Sequence, residues 1–361
     1  MKREYFASAL IIIFILVCGC SNKKNDLSWA LTPFTKVDSV NPILMPGKRE
    51  FVCPVRKETV RWEEKDVFNP AAIVRNDTVF LLYRAEDVIG KFAGTSRIAL
   101  AYSLDGIHFT RRNEPVLFPE EDDMKEYEWE GGIEDPRIIT REDGLSVLTY
   151  TAYDGQVARL CLATSTDLIH WKKEGLVFNG KYKNQWSKSG AIVGRREVEK
   201  IIAAKLNGKY WMYFGDTDLF IATSEDLIHW QPIEENGKWK SVLKPRQKYF
   251  DSRLVESGPF GLVTEKGILL LYNGMNLDSI GDPAIAKGAY CAGQALFDLN
   301  DPTKLVDRLE KNFLSPNKDY EIKGQVNQVC FIEGMVPFKG NWFLYYGTAD
   351  SRIAVAVSIM K

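Results

Sequence analysis

Histidine is scarce in this chain. Only His108, His170 and His229 occur among 361 residues. A Ser-His-Asp hydrolase needs a histidine of its own, and a zinc site usually gathers ligands at close spacing. Here all three sit in one slot of a phrase written three times: AYSLDGIHF from Ala101, ATSTDLIHW from Ala163 and ATSEDLIHW from Ala222. A residue copied together with its neighbours belongs to a scaffold. The Ser and Asp of the phrase, such as Ser165 and Asp167, are accordingly read as turn residues that bond local backbone. Also missing are a GxxxxGK[ST] phosphate loop, a GxGxxG after a strand and an HExxH pair. The net charge of −1 gives no electrostatic reason to expect a nucleic-acid partner. No helical heptads, low-complexity tract or 20-residue apolar run occurs beyond the N-terminus.

Cysteine is also sparse. Cys53, Cys161, Cys291 and Cys330 stand singly, mostly in apolar stretches such as RLCLATS and NQVCFIE. Without paired spacings they read as buried free thiols, and no disulfide or metal site is expected. The other two, Cys18 and Cys20, end an apolar run from Phe6 to Val17 that follows Lys2 and Arg3. That run has the length of a signal-peptide core rather than of a membrane span. Val17-Cys18-Gly19-Cys20 resembles a bacterial lipobox, which implies lipidation at Cys20 and export to the outer membrane through a lipid anchor. Residues 1–20 are thus expected to be a lipoprotein signal peptide and residues 21–35 a flexible tether, with the folded domain over 36–361.

What the chain has in quantity is repetition. A second phrase, out of phase with the first, appears as LLYRAED at Leu81, LTYTAYD at Leu148, WMYFGDT at Trp211, LLYNGMN at Leu270 and LYYGTAD at Leu344. Short strand-like runs bounded by Gly, Asp and Asn, recurring in this way, predict an all-β, five-bladed β-propeller.

In a repeated scaffold, function is sought where the copies disagree. The strongest such place is Trp129-Glu130-Gly131-Gly132-Ile133-Glu134-Asp135-Pro136-Arg137, which joins two adjacent acids, a glycine pair and an arginine able to hold a carboxylate or a sugar hydroxyl. Trp129, Tyr153 and Trp186 are candidate platforms for the apolar faces of a sugar. Trp171 and Trp230, inside the repeated phrase, are read as packing.

GGIEDPR, together with FNPAAI at Phe68, YRAED at Tyr83, SRIALAYS at Ser96, YTAYDG at Tyr150 and YYGTAD at Tyr345, resembles the signature set of glycoside hydrolase family 130, the mannoside phosphorylases and mannosidases. The resemblance runs from about residue 60 to the C-terminus and implies a five-bladed propeller. It also implies Asp135 as the catalytic acid, with Asn69, Arg84, Asp87, Arg137 and Asp350 lining the sugar pocket. No cofactor or metal is implied, and the expected partners are β-mannoside oligosaccharides.

The family divides on its nucleophile. Phosphorylases need cations converging on phosphate. Where they resemble WMLHRP, this chain reads Trp211-Met212-Tyr213-Phe214-Gly215-Asp216, so a His-Arg pair is missing and an acid, Asp216, stands nearby. Two glutamates, Glu256 in VESGP and Glu333 in FIEGM, are candidates for the base that activates water and for a water holder, in an order the sequence leaves open. Lys188 in QWSKSGAIV sits where the family often has a phosphate-side lysine, and could equally contact substrate or Asp216. The reading is an exo-acting, inverting β-1,2-mannosidase, with the linkage resting on the resemblance alone. A phosphate-dependent β-mannoside phosphorylase and a non-catalytic glycan-binding propeller remain as alternatives.

Overall fold

The computed structural model describes residues 27–277 and 279–360. The expected signal peptide and the expected lipidation site Cys20 lie outside the described residues. The fold is nearly all β, its only α-helices among the described residues being Lys125–Glu128 and Asp319–Ile322.

One antiparallel pattern recurs along the chain. The first meander runs Asp66–Arg75, Thr78–Glu86, Ser96–Ser103 and Thr110–Arg111. The second runs Gly132–Thr140, Ser146–Tyr153, Ala158–Ser165 and Lys172–Leu176. In the third, Ala191–Glu197 pairs with a second strand split into Lys200–Ala203 and Tyr210–Phe214, followed by Leu219–Ser224 and Trp230–Pro232. The fourth runs Leu254–Thr264, Gly267–Met275, Tyr290–Phe297 and Leu305–Arg308. The last comprises Cys330–Phe338, Asn341–Thr348 and Arg352–Ile359, and its fourth strand is Thr35–Lys36 from the other end of the chain. Neighbouring meanders touch through short parallel contacts, such as Ser96 with Gly132 and Val193 with Gly261. The first strands are buried on both faces, which suits their unbroken apolar stretches.

The repeated phrase forms a turn on the outside. Ser165 Oγ accepts from the N–H groups of Asp167 and Leu168, Asp167 Oδ1 accepts from those of Ile169 and His170, and Oδ2 meets His170 Nδ1 at 2.7 Å. The His170 side chain is 86% exposed. The same bonds recur at Ser103 and at Ser224, so all three histidines are scaffold. Trp171 and Trp230 donate to Leu168 and Leu227 carbonyls, and the four described cysteines are buried and free.

The second phrase places a tyrosine on the second strand of every meander. In four of them its hydroxyl donates to a buried carboxylate from the preceding connection, which is also held by a cation from the outer strand. The sets are Tyr83, Glu63 and Arg111; Tyr150, Glu128 and Lys173; Tyr272, Asp251 and Arg308; and Tyr346, Glu321 and Lys36. In the third meander Tyr213 donates to the Pro302 carbonyl instead.

The tether expected over residues 21–35 does not extend through 27–35. Trp29 is buried and its indole donates to Asp307 at 2.8 Å, Leu31 exchanges two hydrogen bonds with the Gln294 amide, and Phe34 packs on Phe313. Apolar burial and these paired polar groups fix the segment to the domain.

Candidate functional site

The first strands carry irregularities at one common level. The ladder slips between Phe68 and Pro70, between Glu134 and Arg137, between Ser257 and Gly261, and between Ile332 and Gly334. A bulge turns one side chain out of the alternating pattern, and here two of those side chains, Asn69 and Asp135, meet. Asn69 and Asp135 each sit there at φ 47°, and Ser189, just before its own strand, at φ 61°. Left-handed backbone at non-glycine residues is strained and is retained where the side chain must be aimed. Close approach is required as well. A Cβ on Gly132, at φ 110°, would run into the Ser96 backbone, and one on Gly347 would run into Asn69 Oδ1.

Asp135 is buried and accepts three charged or amide donors: Asn69 Nδ2 at 2.8 Å, Arg84 Nη1 at 3.2 Å and Lys188 Nζ at 3.0 Å. Burial pushes its carboxyl up, but Lys188, Arg84, Asn69 and Arg137 outweigh it and hold the group well below the usual carboxylate range. These donors keep Asp135 ionised, so the acid role expected of it requires that it first gain a proton.

The neighbouring carboxyls are displaced the other way. Glu134 and Asp350 are pushed up to about 7, in both cases by burial first, with the Asp135 charge adding to it and Arg84 opposing. Burial also raises Glu256, against partial relief from Lys188. Glu256 accepts from the Ser189 hydroxyl and faces Lys188 Nζ at 3.4 Å, so one ammonium bridges Asp135 and Glu256. Glu333 is raised furthest above its ordinary value within this pair of glutamates: it is buried, neither oxygen has a hydrogen-bond partner, and Arg137 stands 3.5 Å away. Arg137 spends its other donors on the carbonyls of Asp135, Ser257 and Gly258. Arg84 is divided among Asp135, Glu86, Glu134 and Ser96 and lies over the Phe68 ring.

Asn69, Arg84, Asp135, Arg137, Lys188, Glu256, Glu333 and Asp350 thus converge on one charged centre. Asp216 acts on Lys188 and Glu256 from its edge and accepts from Trp186. Tyr153 stands at the margin between Phe92 and Trp186. Two expectations are corrected. Asp87 does not offer its carboxylate to a pocket: Oδ1 accepts from the N–H groups of Ile89 and Thr95, and Oδ2 from the fully buried Arg97, because a buried carboxylate takes every donor within reach. Trp129 is not an open platform, since Arg56 lies 5.0 Å over its ring.

Ser189 and Glu134 were missed. Aligning the first strands by the polar residue before Pro or Gly, as in Asn69-Pro70, Asp135-Pro136, Ser189-Gly190, Ser257-Gly258 and Glu333-Gly334, would have found Ser189. Among the described residues no group of three or more His, Cys, Asp or Glu could hold a metal ion.

The family model of the β-1,4-mannooligosaccharide phosphorylases matches residues 39–361. A 1,2-β-oligomannan phosphorylase from Thermoanaerobacter is 32% identical, the match covering 90% of this chain and 96% of the relative. A glycosyl hydrolase structure from Bacteroides ovatus superposes with a TM-score of 0.89 at 47% identity, over 91% of this chain and 94% of that one. Another solved structure, reported with the finding that the GH130 family of mannoside phosphorylases contains glycoside hydrolases that target β-1,2 mannosidic linkages in Candida mannan, has a TM-score of 0.89 at 43% identity, over 92% and 97%. With the converging carboxylates in the signature segments, these matches place the chain in glycoside hydrolase family 130.

Proposed function

We propose that the protein is an exo-acting, inverting β-mannosidase for β-1,2-linked mannosides, and that its meanders are the five blades of a propeller with the charged centre at the axis. The observation that carries this reading is the charge balance there. Arg84, Arg137 and Lys188 are each already engaged by carboxylates or carbonyls, and the ionised Asp135 stands among them. A dianionic phosphate entering this centre would meet the Asp135 charge with each of these three cations already engaged, whereas neutral water would not.

In this reading Asp135 protonates the glycosidic oxygen, relayed through a hydroxyl of the mannose as the family resemblance suggests. Asp135 must gain its proton as the bound sugar displaces the Lys188, Arg84 and Asn69 donors that hold it ionised. The base must be ionised to take a proton from water. Glu256, which accepts from Ser189 and faces Lys188, fits that role better than Glu333, which has no donor. Glu333 is then the second carboxyl on the water's path.

A second reading, phosphorolysis, is favoured by the curated relatives, which are phosphorylases. Incubating the protein with β-1,2-mannobiose, with and without inorganic phosphate, separates the two. Free α-mannose formed equally in both is the expected result. Mannose 1-phosphate appearing only with phosphate would sink the hydrolase reading.

A further inference from the structure

Phe92 is 36% exposed and Trp186 48% exposed, and the half-buried Tyr153 stands between them. Scattered surface aromatics need no explanation, but three in a row, with Tyr153 touching both of the others beside the charged centre, do. The ring centroids are 6.2 Å apart for Phe92 and Tyr153 and 6.4 Å for Tyr153 and Trp186, with interplanar angles of 47° and 68°. The rings therefore make a faceted wall rather than a flat shelf.

The wall is continuous with the charged centre at two points. Tyr153 is paired across the ladder with Gly132, on the strand that carries Asp135. Trp186 precedes Lys188 by two residues, and its indole N–H donates to Asp216 Oδ2 at 2.9 Å. Phe92 comes from a different meander, on the connection between the second and third strands of the first. That connection is braced well beyond what an idle surface loop needs. Asp87 takes the N–H groups of Ile89 and Thr95 at 3.0 Å each and is locked by Arg97, while Lys91 N–H reaches Glu130, itself held by Arg56. Gly155, at φ 93°, leaves room for the Phe92 ring, which any Cβ there would strike. The bracing thus fixes an exposed phenyl ring over Tyr153 although that ring contributes little to the core.

We propose that Phe92, Tyr153 and Trp186 form the binding wall for the leaving-group sugars of the oligosaccharide, and that Asp87 is the positioning residue that holds Phe92 in it. This rests on the mannoside reading of the same site. Pyranose rings offer C–H faces that stack on aromatic planes, and facets at different angles suit a chain whose successive rings turn against one another. The leaving-group side follows from the exo-acting reading: one mannose fills the buried charged centre, so the exposed wall beside it faces the sugars that depart.

The test compares β-1,2-mannotriose with β-mannosyl fluoride, which has the same mannosyl group but no leaving-group sugar, in assays with and without phosphate. For Trp186→Ala the ratio of kcat/KM for the trisaccharide to that for the fluoride falls about tenfold, and for Phe92→Ala a smaller fall is seen. Asp87→Asn reproduces the Phe92→Ala pattern, and Trp186→Phe restores most of the ratio. An unchanged ratio in Trp186→Ala and Phe92→Ala overturns the wall, as does an equal loss on both substrates. A phosphate requirement sinks hydrolysis instead, and in that case a fall in the ratio still supports the wall.

Discussion

Two sets of buried carboxylates occupy this molecule, and their hydrogen bonds separate them. Around the periphery, Glu63, Glu128, Asp251 and Glu321 are buried, and each meets a tyrosine hydroxyl and at least one cation. Near the middle, Glu333 is equally buried, yet neither oxygen has a hydrogen-bond partner, and Asn69 Oδ1 is unpartnered as well. A buried polar atom left without a partner costs about 1–3 kcal/mol, more when charged. The peripheral acids fasten strands together, whereas Glu333 and Asn69 hold binding capacity in reserve. Residue type and burial are the same in both places, so only the partners distinguish scaffold from site.

The sharpest way to test that contrast is to neutralise one acid from each set. Asp135→Asn is expected to lower kcat/KM by about 10³-fold, through loss of its proton transfer. Retained activity would break the comparison. Asp251→Asn is expected to do the reverse. Removing the charge that Arg246 and Arg308 share, at 2.8 and 2.6 Å, destabilises the fold by about 3 kcal/mol in chemical denaturation and leaves kcat at 25 °C within twofold. A loss of turnover without a loss of stability there would place Asp251 in the wrong set.

The smallest effect is also the most specific. Glu333 titrates well above its ordinary 4.5 in the folded protein, so the folded state keeps a proton that the unfolded chain releases. Its stabilising share is complete below the unfolded value and is lost as pH rises towards the folded one. Glu333→Gln removes that pH-dependent penalty. The variant is expected to melt higher than the parent at pH 8, by about 2 °C or more, with the gain shrinking towards pH 5. A gain that does not grow with pH would show that Glu333 is ionised and paired.

Much of this contrast could be read in advance, for a physical reason. GGIEDPR and FIEGM stand out because no other meander repeats them, and departures from a repeat mark residues that the scaffold does not need. The histidines could be set aside by the same logic. Asp87 was misread because an acid after a second strand is common to both roles: Asp350 in the last meander is pushed up to about 7 near Asp135 and Arg84, while Asp87 in the first binds its own loop. Only the position of Arg97 decides between them. Ser189 escaped notice because a lone serine carries no signal until its strand is placed beside the others. The docking of Trp29 depends on Asp307 and Gln294, partners too distant along the chain for any local pattern to announce.

That docking has a consequence for the order in which the protein is made. Thr35 and Lys36 are synthesised long before the strand they pair with, at Val357 and Ala356. Trp29 and Leu31 meanwhile bind the fourth meander. A single short segment therefore joins two consecutive meanders and waits for both. Contacts across nearly the whole chain form late and slowly. The segment from Trp29 to Lys36 is thus the last piece to find its place, and losing either Thr35–Lys36 or Arg352–Ile359 opens the same seam.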